Sequence, residues 1–418
     1  MSGRQRVLFG FLAAVLFLTL ITERGWHAQE VILLPRLRAA PAQPASFLET
    51  FDSQPGAPQP FTRHPGSERF DVQVHSRGVR PWSALAEMHA HHGGSCTGPP
   101  ASHTTSTHEE AVFICNDHLM TAINGAEYGL IVLTPNRMLK VADGGSISFD
   151  LSTERMSTRD WWDVMITPWA ENLALPLLSD LSQGVDLQGP PRNAISIATD
   201  NGQGAPVLKI IRNGVVQRYG SGLSIPAFNR GVAAGTNQAA TRQSFRFTVA
   251  NGRMRFERLA SPTARALLFW DIAATATFTT GVVQFGHHSY DPTKDGAGVP
   301  ATWHWDNLAI ANPSDTDTAF TIQRATPRQL IAPGIVTFPA APAGAFLRFA
   351  ALCRPVVNGV ARAYQPTAAA RSPEHASSYF VPIPTGSTSA TIDFTADDWY
   401  TPGYGCFARD FHVWALGS

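Results

Sequence analysis

The chain has 418 residues, 32 Lys+Arg balanced by 32 Asp+Glu, and only 15% charged side chains. At roughly 100–200 residues per domain this makes two or three domains with ample core. Zero net charge removes the field that draws proteins onto phosphate backbones, which excludes nucleic acid as a partner class, and 44% hydrophobic content excludes disorder throughout. The 34 glycines, 31 prolines and 10% aromatics, ten of them Trp, favour an all-β chain with many turns.

Arg4 and Arg6 precede an apolar run over residues 7–21 that Thr22, Glu23 and Arg24 break. A basic start followed by about 7–15 apolar residues predicts a secretory signal, and the run is short for a span of ~20 residues. No A-x-A follows closely, so two readings of residues 1–29 stand, a cleaved signal peptide or an uncleaved anchor. Both put the body outside the cytoplasm, extracellular or at the cell surface, with membrane contact only through this segment. Residues 30–46, rich in Pro and Ala, read as a linker.

An alternating strand is predicted over 47–52, ending at Pro55-Gly56, and others over 146–151, 163–167, 194–199, 207–212, 245–250, 253–259 and 279–285. Each is apolar or alternating and bounded by turn residues, the pattern of a β-sandwich. Asn251-Gly252 supplies the positive φ that a tight hairpin requires. Helix is confined to a turn or two over 82–89 and 262–269. After Pro313-Ser314-Asp315 a second set is predicted at 319–324, 335–338, 346–352, 379–383, 390–394 and 407–414, which fits a smaller C-terminal β-sandwich over 313–418. Four cysteines in an exported chain allow three pairings; Cys96–Cys115 with Cys353–Cys406 keeps one bridge in each domain.

The opening FLETFDSQPGAP, the hairpin FTVANGRMRFERL and the close VVQFGHHSYDP…ATWHWDNLAI resemble the concanavalin A-like lectin/glucanase jelly rolls, laminin-G-like modules and family 16 glucanases among them. The resemblance covers residues 47–312 and implies a jelly-roll β-sandwich whose first and last strands are neighbours. It also implies a structural Ca2+ near that junction, with Asp52 and Asp306 at the matching positions, although no cofactor is required. Family 16 glucanases carry E-x-D-x-E or E-x-D-x-x-E on a central strand. The nearest stretch here, 159–167, offers Asp160 and Asp163 three residues apart, with Glu171 beyond Pro168. An ideal strand points the two Asp to opposite faces, which disfavours such a glucanase.

Flat indole faces stack on sugar rings, so Trp161, Trp162, Trp169, Trp303 and Trp305 are candidate carbohydrate contacts, with core packing as the competing role. On a strand Trp161 and Trp162 oppose each other, whereas Trp303 and Trp305 share a face. His287, His288 and Tyr290 are candidates for β-elimination on uronic-acid polymers, with Arg159, Arg246 or Arg255 to neutralise the carboxylate. His89, His91, His103 and His108 form a weak metal-ligand pattern in a Gly- and Pro-broken segment. Asp397, Asp398, Trp399, Tyr400 and Tyr404 give the last domain its own aromatic set. P-loop, GxSxG, HExxH and EF-hand motifs are absent. The leading expectation is an exported, non-catalytic binder of a polysaccharide or surface glycan. A polysaccharide lyase or glycoside hydrolase, using the His/Tyr or carboxylate sets, and a purely structural extracellular protein are the alternatives.

Overall fold

The computed structural model describes residues 46–52, 59–76, 111–114, 117–124, 129–152, 160–169, 192–199, 205–225, 242–262, 264–289, 300–362, 377–395 and 406–417. The N-terminal segment and linker, Cys96, Cys115, the 82–89 helix, the 89–108 histidines and the 397–404 aromatic set lie outside the described residues. Pro44–Ser418 form one compact unit. Among the described residues no helix is long and apolar enough to cross a membrane.

The strands run β1 (Phe47–Glu49), β2 (Gln59–Pro60), β3 (Phe70–Ser76), β4 (Ala111–Ile114), β5 (Leu119–Asn124), β6 (Gly129–Pro135), β7 (Met138–Lys140), β8 (Ser146–Ser152) and β9 (Asp160–Thr167). They continue as β10 (Ala194–Thr199), β11 (Pro206–Arg212), β12 (Val215–Gly220), β13 (Gln243–Ala250), β14 (Arg253–Arg258), β15 (Leu267–Ala273), β16 (Thr280–Ser289) and β17 (Pro300–Ala311). The rest are β18 (Phe320–Arg324), β19 (Gln329–Leu330), β20 (Gly334–Thr337), β21 (Phe346–Leu352), β22 (Arg354–Val357), β23 (Val360–Ala361), β24 (Ser377–Pro382), β25 (Ser389–Thr395) and β26 (Phe407–Leu416).

The first sheet has the order β15-β14-β13-β8-β17-β5-β4-β2, with β1 also against β17; the second is β12-β11-β10-β9-β16-β6-β3, with β7 also against β16. Alternation along each strand decides which side is buried. Phe245, Phe247 and Val249 of β13 and Met254 and Phe256 of β14 meet Trp162, Val164 and Ile166 of β9 in one core between the sheets. Phe149 sits among these rings, 5.4 Å from Trp162 and 5.5 Å from Phe245. Each such side chain contributes about 1.5–3 kcal/mol by leaving water. This is the expected jelly-roll β-sandwich. The first and last strands are indeed neighbours, with Phe47 opposite Ile310 and Glu49 opposite Leu308.

Asn251 (φ 52) and Gly252 (φ 70) take the left-handed conformations of a two-residue hairpin between Ala250 and Arg253. Asn213-Gly214 and Asn358-Gly359 repeat the device between β11 and β12 and between β22 and β23. The helical turn expected over 262–269 is corrected. There the chain makes a Ser261–Ala264 bridge and enters β15, whose Trp270 lies opposite Phe256 of β14. Pairing along an apolar sheet edge overrides a weak local helical preference.

Two further sheets follow, β18-β26-β21-β24 with β19 against β26, and β20-β25-β22-β23. They enclose a second core containing Val336, Leu347, Phe349, Val381, Ile392, Phe411 and Val413. The expected Cys353–Cys406 disulfide joins the β21–β22 corner to the start of β26, with Cα atoms 5.4 Å apart.

The face of the third sheet away from that core packs on the outer face of the second sheet. Phe320, Phe380 and Trp414 close an apolar seam over Met138 and Val282. Beside it lies a buried polar knot. Asp71 of β3, fully buried, receives Gln73 Nε2 (2.8 Å) and His412 Nδ1 (3.2 Å) on Oδ1. Its Oδ2 receives Arg348 Nη1 (3.1 Å) and Trp414 Nε1 (2.7 Å). Four donors fill the lone pairs of one carboxylate. Burial pushes the Asp71 carboxyl up, but His412, Arg348 and the hydrogen bonds outweigh it and hold it below the ordinary carboxylate range. Removing one partner of a buried pair leaves the other charge uncompensated. Asp71→Ala should therefore lower unfolding free energy by about 3–5 kcal/mol in urea titration. Asp71→Ala combined with Arg348→Met should recover part of that loss.

Candidate functional site

On β9 the inward positions are Trp162, Val164 and Ile166, so Trp161, Asp163, Met165 and Thr167 stand on the outer face of the second sheet. Asp163 is flanked across the sheet by Gly286 of β16 and Ala198 of β10, and beyond them by Val132 and Val207. The neighbouring row pairs Met165 with Gln284 on one side and with Ser196, then Lys209, on the other. Asp163, Met165, Ser196, Ala198, Lys209 and Gln284 are all buried, so this part of the outer face is closed off from solvent.

Asp163 is only 4% exposed, and among the described residues neither of its carboxyl oxygens has a hydrogen-bond partner. Burial pushes this carboxyl up to about 8, against the pull of the Lys209 charge. Lys209 is itself buried. Within this sheet the next described carboxyl on the same face is Asp71, three strands away, or roughly 14 Å at ~4.8 Å per strand. It is saturated by the knot described above. The side chain of Asp160 and all of Glu171 lie outside the described residues.

Neither the protein-family models nor the curated proteins contain a match to the sequence. Among solved structures, a β-1,3-glucanase from Mycobacterium marinum is similar at 14% identity and a TM-score of 0.35, over 64% of this chain and 99% of that one. LamAcat from Zobellia galactanivorans is similar at 10% identity and a TM-score of 0.36, over 64% of this chain and 97% of that one. Lectin II from Ulex europaeus is similar at 7% identity and a TM-score of 0.30, over 48% of this chain and 91% of that one. No residue role passes from these proteins to this chain.

The indoles expected to stack on sugar are corrected by their burial. Trp162, Trp303 and Trp305 are core residues with 0% exposure, and Trp161 is also buried. Trp169 is half-buried in the seam, 5.2 Å from Phe320 and 5.9 Å from Trp414. A β-strand face shared by two Trp is an inward face here because the opposite sheet supplies the larger apolar surface. Trp303→Ala should cost about 3–5 kcal/mol of stability, seen as a lower urea midpoint, rather than a selective loss of binding.

His287 is also a core residue. The Thr121 hydroxyl accepts from Trp305 Nε1 at 3.0 Å, and His287 Nδ1 lies within hydrogen-bond distance of the same oxygen, also at 3.0 Å. A histidine held between two sheets cannot serve as a base in a cleft. The side chain of His288 and all of Tyr290 and Arg159 lie outside the described residues. Arg246 and Arg255 are on the outer face of the first sheet, Arg255 paired with Glu257 at 2.6 Å. The sandwich thickness separates them from β16.

Asp52 acts electrostatically on Asp306. Burial pushes Asp306 up to about 6, opposed by Arg242 and by the Asn307 N–H, with Asp150 and Asp52 adding to the rise. Yet Arg242 Nη1 lies 2.5 Å from Asp306 Oδ2, and Asp52 accepts the Thr50 hydroxyl. Among the described residues no group of three His, Cys, Asp or Glu could hold a metal. A guanidinium already neutralises Asp306, so this donor set does not fit Ca2+, which takes 6–8 oxygen ligands.

Sequence reasoning missed Lys209, Gly286 and Ala198. Lys209 carried a signal, as a single lysine inside the apolar strand PVLKIIR. The raised Asp163 carboxyl has a pH consequence. Between about 4 and 8 the folded state keeps a proton that the unfolded chain releases, so stability falls as pH rises. Asp163→Asn should match the native protein in Tm near pH 4 and exceed it at pH 8, as thermal scans across that range would show.

Proposed function

We propose that this is an exported, non-catalytic glycan-binding protein whose site lies within residues 47–312. The observation that carries this reading is that β9 presents one described carboxyl, Asp163, to the outer face of the second sheet. Glycoside hydrolysis by two carboxyls needs the second at about 5–5.5 Å or 6.5–9.5 Å, and Asp71 stands well beyond either.

The fold supports glycan binding in general, since glucanases and a lectin share it. The seam supports the non-catalytic part, because the third sheet covers the β3, β6 and β16 side of the same face and a long open cleft has no room there. Residues 47–312 carry the site in this reading, and residues 313–418 form the accessory sandwich that walls it. The Cys353–Cys406 bridge suits an oxidising compartment, with residues 1–29 as the export segment, retained or removed.

The test is incubation of the full chain with neutral, amino-sugar and uronic-acid polysaccharides. Retention on at least one polymer is expected, with no new reducing ends and no absorbance from unsaturated sugar ends. New ends would replace the binding reading with hydrolysis, and unsaturated absorbance would replace it with elimination.

A further inference from the structure

Five Asn-Gly pairs occur in the sequence, at 124–125, 201–202, 213–214, 251–252 and 358–359. In the last three both residues are described, each pair closes a two-residue hairpin, and all six residues are exposed. Asparagine before glycine is a chemically reactive pair, because glycine has no side chain to shield its backbone nitrogen. That nitrogen attacks Cγ of the Asn side chain. A C–N bond forms, the amide nitrogen leaves as ammonia with the proton of the glycine N–H, and a five-membered succinimide remains. Water then opens the ring at either carbonyl to give aspartate or isoaspartate, and nothing is oxidised or reduced.

The turn must relax for the side chain to swing over the next peptide nitrogen, so a hydrogen bond on either reacting group holds the reaction back. The three turns differ in this respect. In Asn213-Gly214 the attacking nitrogen is engaged. Gly214 N–H donates to the Arg192 carbonyl at 2.7 Å, and Asn213 N–H donates to Asn193 Oδ1 at 3.1 Å. In Asn358-Gly359 the attacked group is engaged. Asn358 Oδ1 accepts from the Thr391 N–H at 2.8 Å and from the Thr391 hydroxyl at 3.3 Å, while Asn358 N–H donates to the Thr391 carbonyl at 3.0 Å. In Asn251-Gly252 the bond that fixes the turn falls on neither reacting group, since the Gly252 carbonyl accepts from Ala274 N–H at 3.0 Å. Among the described residues neither the Asn251 side chain nor the Gly252 N–H has a hydrogen-bond partner.

We propose that Asn251 is a site of spontaneous deamidation, and that of the three described Asn-Gly turns it converts first. Its position gives the reaction a structural consequence. Isoaspartate adds one backbone carbon to the turn, and the register of a hairpin is set by its loop length. The Ala250–Arg253 pair takes the misfit first, and the next pair, Val249 with Met254, belongs to the jelly-roll core.

The experiment incubates the full chain in mildly alkaline buffer and follows each Asn-Gly peptide by mass spectrometry, with isoaspartate and aspartate forms separated by chromatography. A parallel sample is kept unfolded in urea. One hydrogen bond that must break first slows a step by about twofold to tenfold. In the folded chain Asn251 should therefore convert at least about twofold faster than Asn213 or Asn358. In urea the three rates should draw together. Conversion of Asn213 or Asn358 as fast as Asn251 in the folded chain, or no conversion of Asn251 there, would overturn the proposal. The same ranking with the same spacing in urea would also overturn it, because neighbouring residues rather than the turns would then set the order.

Discussion

One carboxylate organises the relation between the two sandwiches. Asp71 projects from the outer side of β3, where an isolated jelly roll would show it to water, and instead receives Gln73, His412, Arg348 and Trp414. The geometry leaves little slack. Gln73 Nε2 spends its second hydrogen on the Asp410 carbonyl, and His412 Nδ1 lies 3.0 Å from that same oxygen. Arg348 also lies over the Trp414 ring, 4.7 Å from its centroid. Rotating the second sandwich on the first would break several of these contacts at once and strand a charge without water. A buried ion pair adds little net stability compared with an apolar isostere, but it discriminates sharply between one docking geometry and all others.

That discrimination bears on the candidate site. The outer face of the second sheet is divided between a portion sealed by Trp414, Phe380 and Phe320 and a portion around Asp163. The two portions treat a buried carboxylate in opposite ways. Asp71 has every lone pair filled and stays ionised; Asp163 has no hydrogen-bond partner among the described residues, and burial raises its carboxyl to about 8.

Much of the fold was legible in sequence, and the reasons are local. Strands β10, β13, β14 and β21 lie where apolar alternation and turn residues put them, and Asn251-Gly252 closes its hairpin as its backbone preferences require. Asn213-Gly214 and Asn358-Gly359 carry the same signal and close their hairpins in the same way. The site was less legible because its determinants are not local. The strand FDVQVHS alternates as if one face were solvated, yet Asp71 and Gln73 are buried by residues some 340 positions away. Trp303 and Trp305 share a face, but alternation does not say whether that face is core or cleft. Nor could a partner two strands distant have been paired with Asp163 before the order β9-β10-β11 was known.

The pairing of the first strand with the last has a mechanical meaning. Phe47 lies opposite Ile310, and the Asn312 N–H reaches the Ser46 hydroxyl at 3.1 Å, so the chain enters and leaves the jelly roll at one spot. Tension applied between Ser46 and Asn312 would act across an antiparallel pair whose hydrogen bonds lie perpendicular to the strands. Those bonds would carry the load one after another, as in a zipper opened from its end, rather than together as in a sheared lap joint. A short β1 of three residues would then peel from β17 before the central strands bore any force, and it could re-pair once the load was gone.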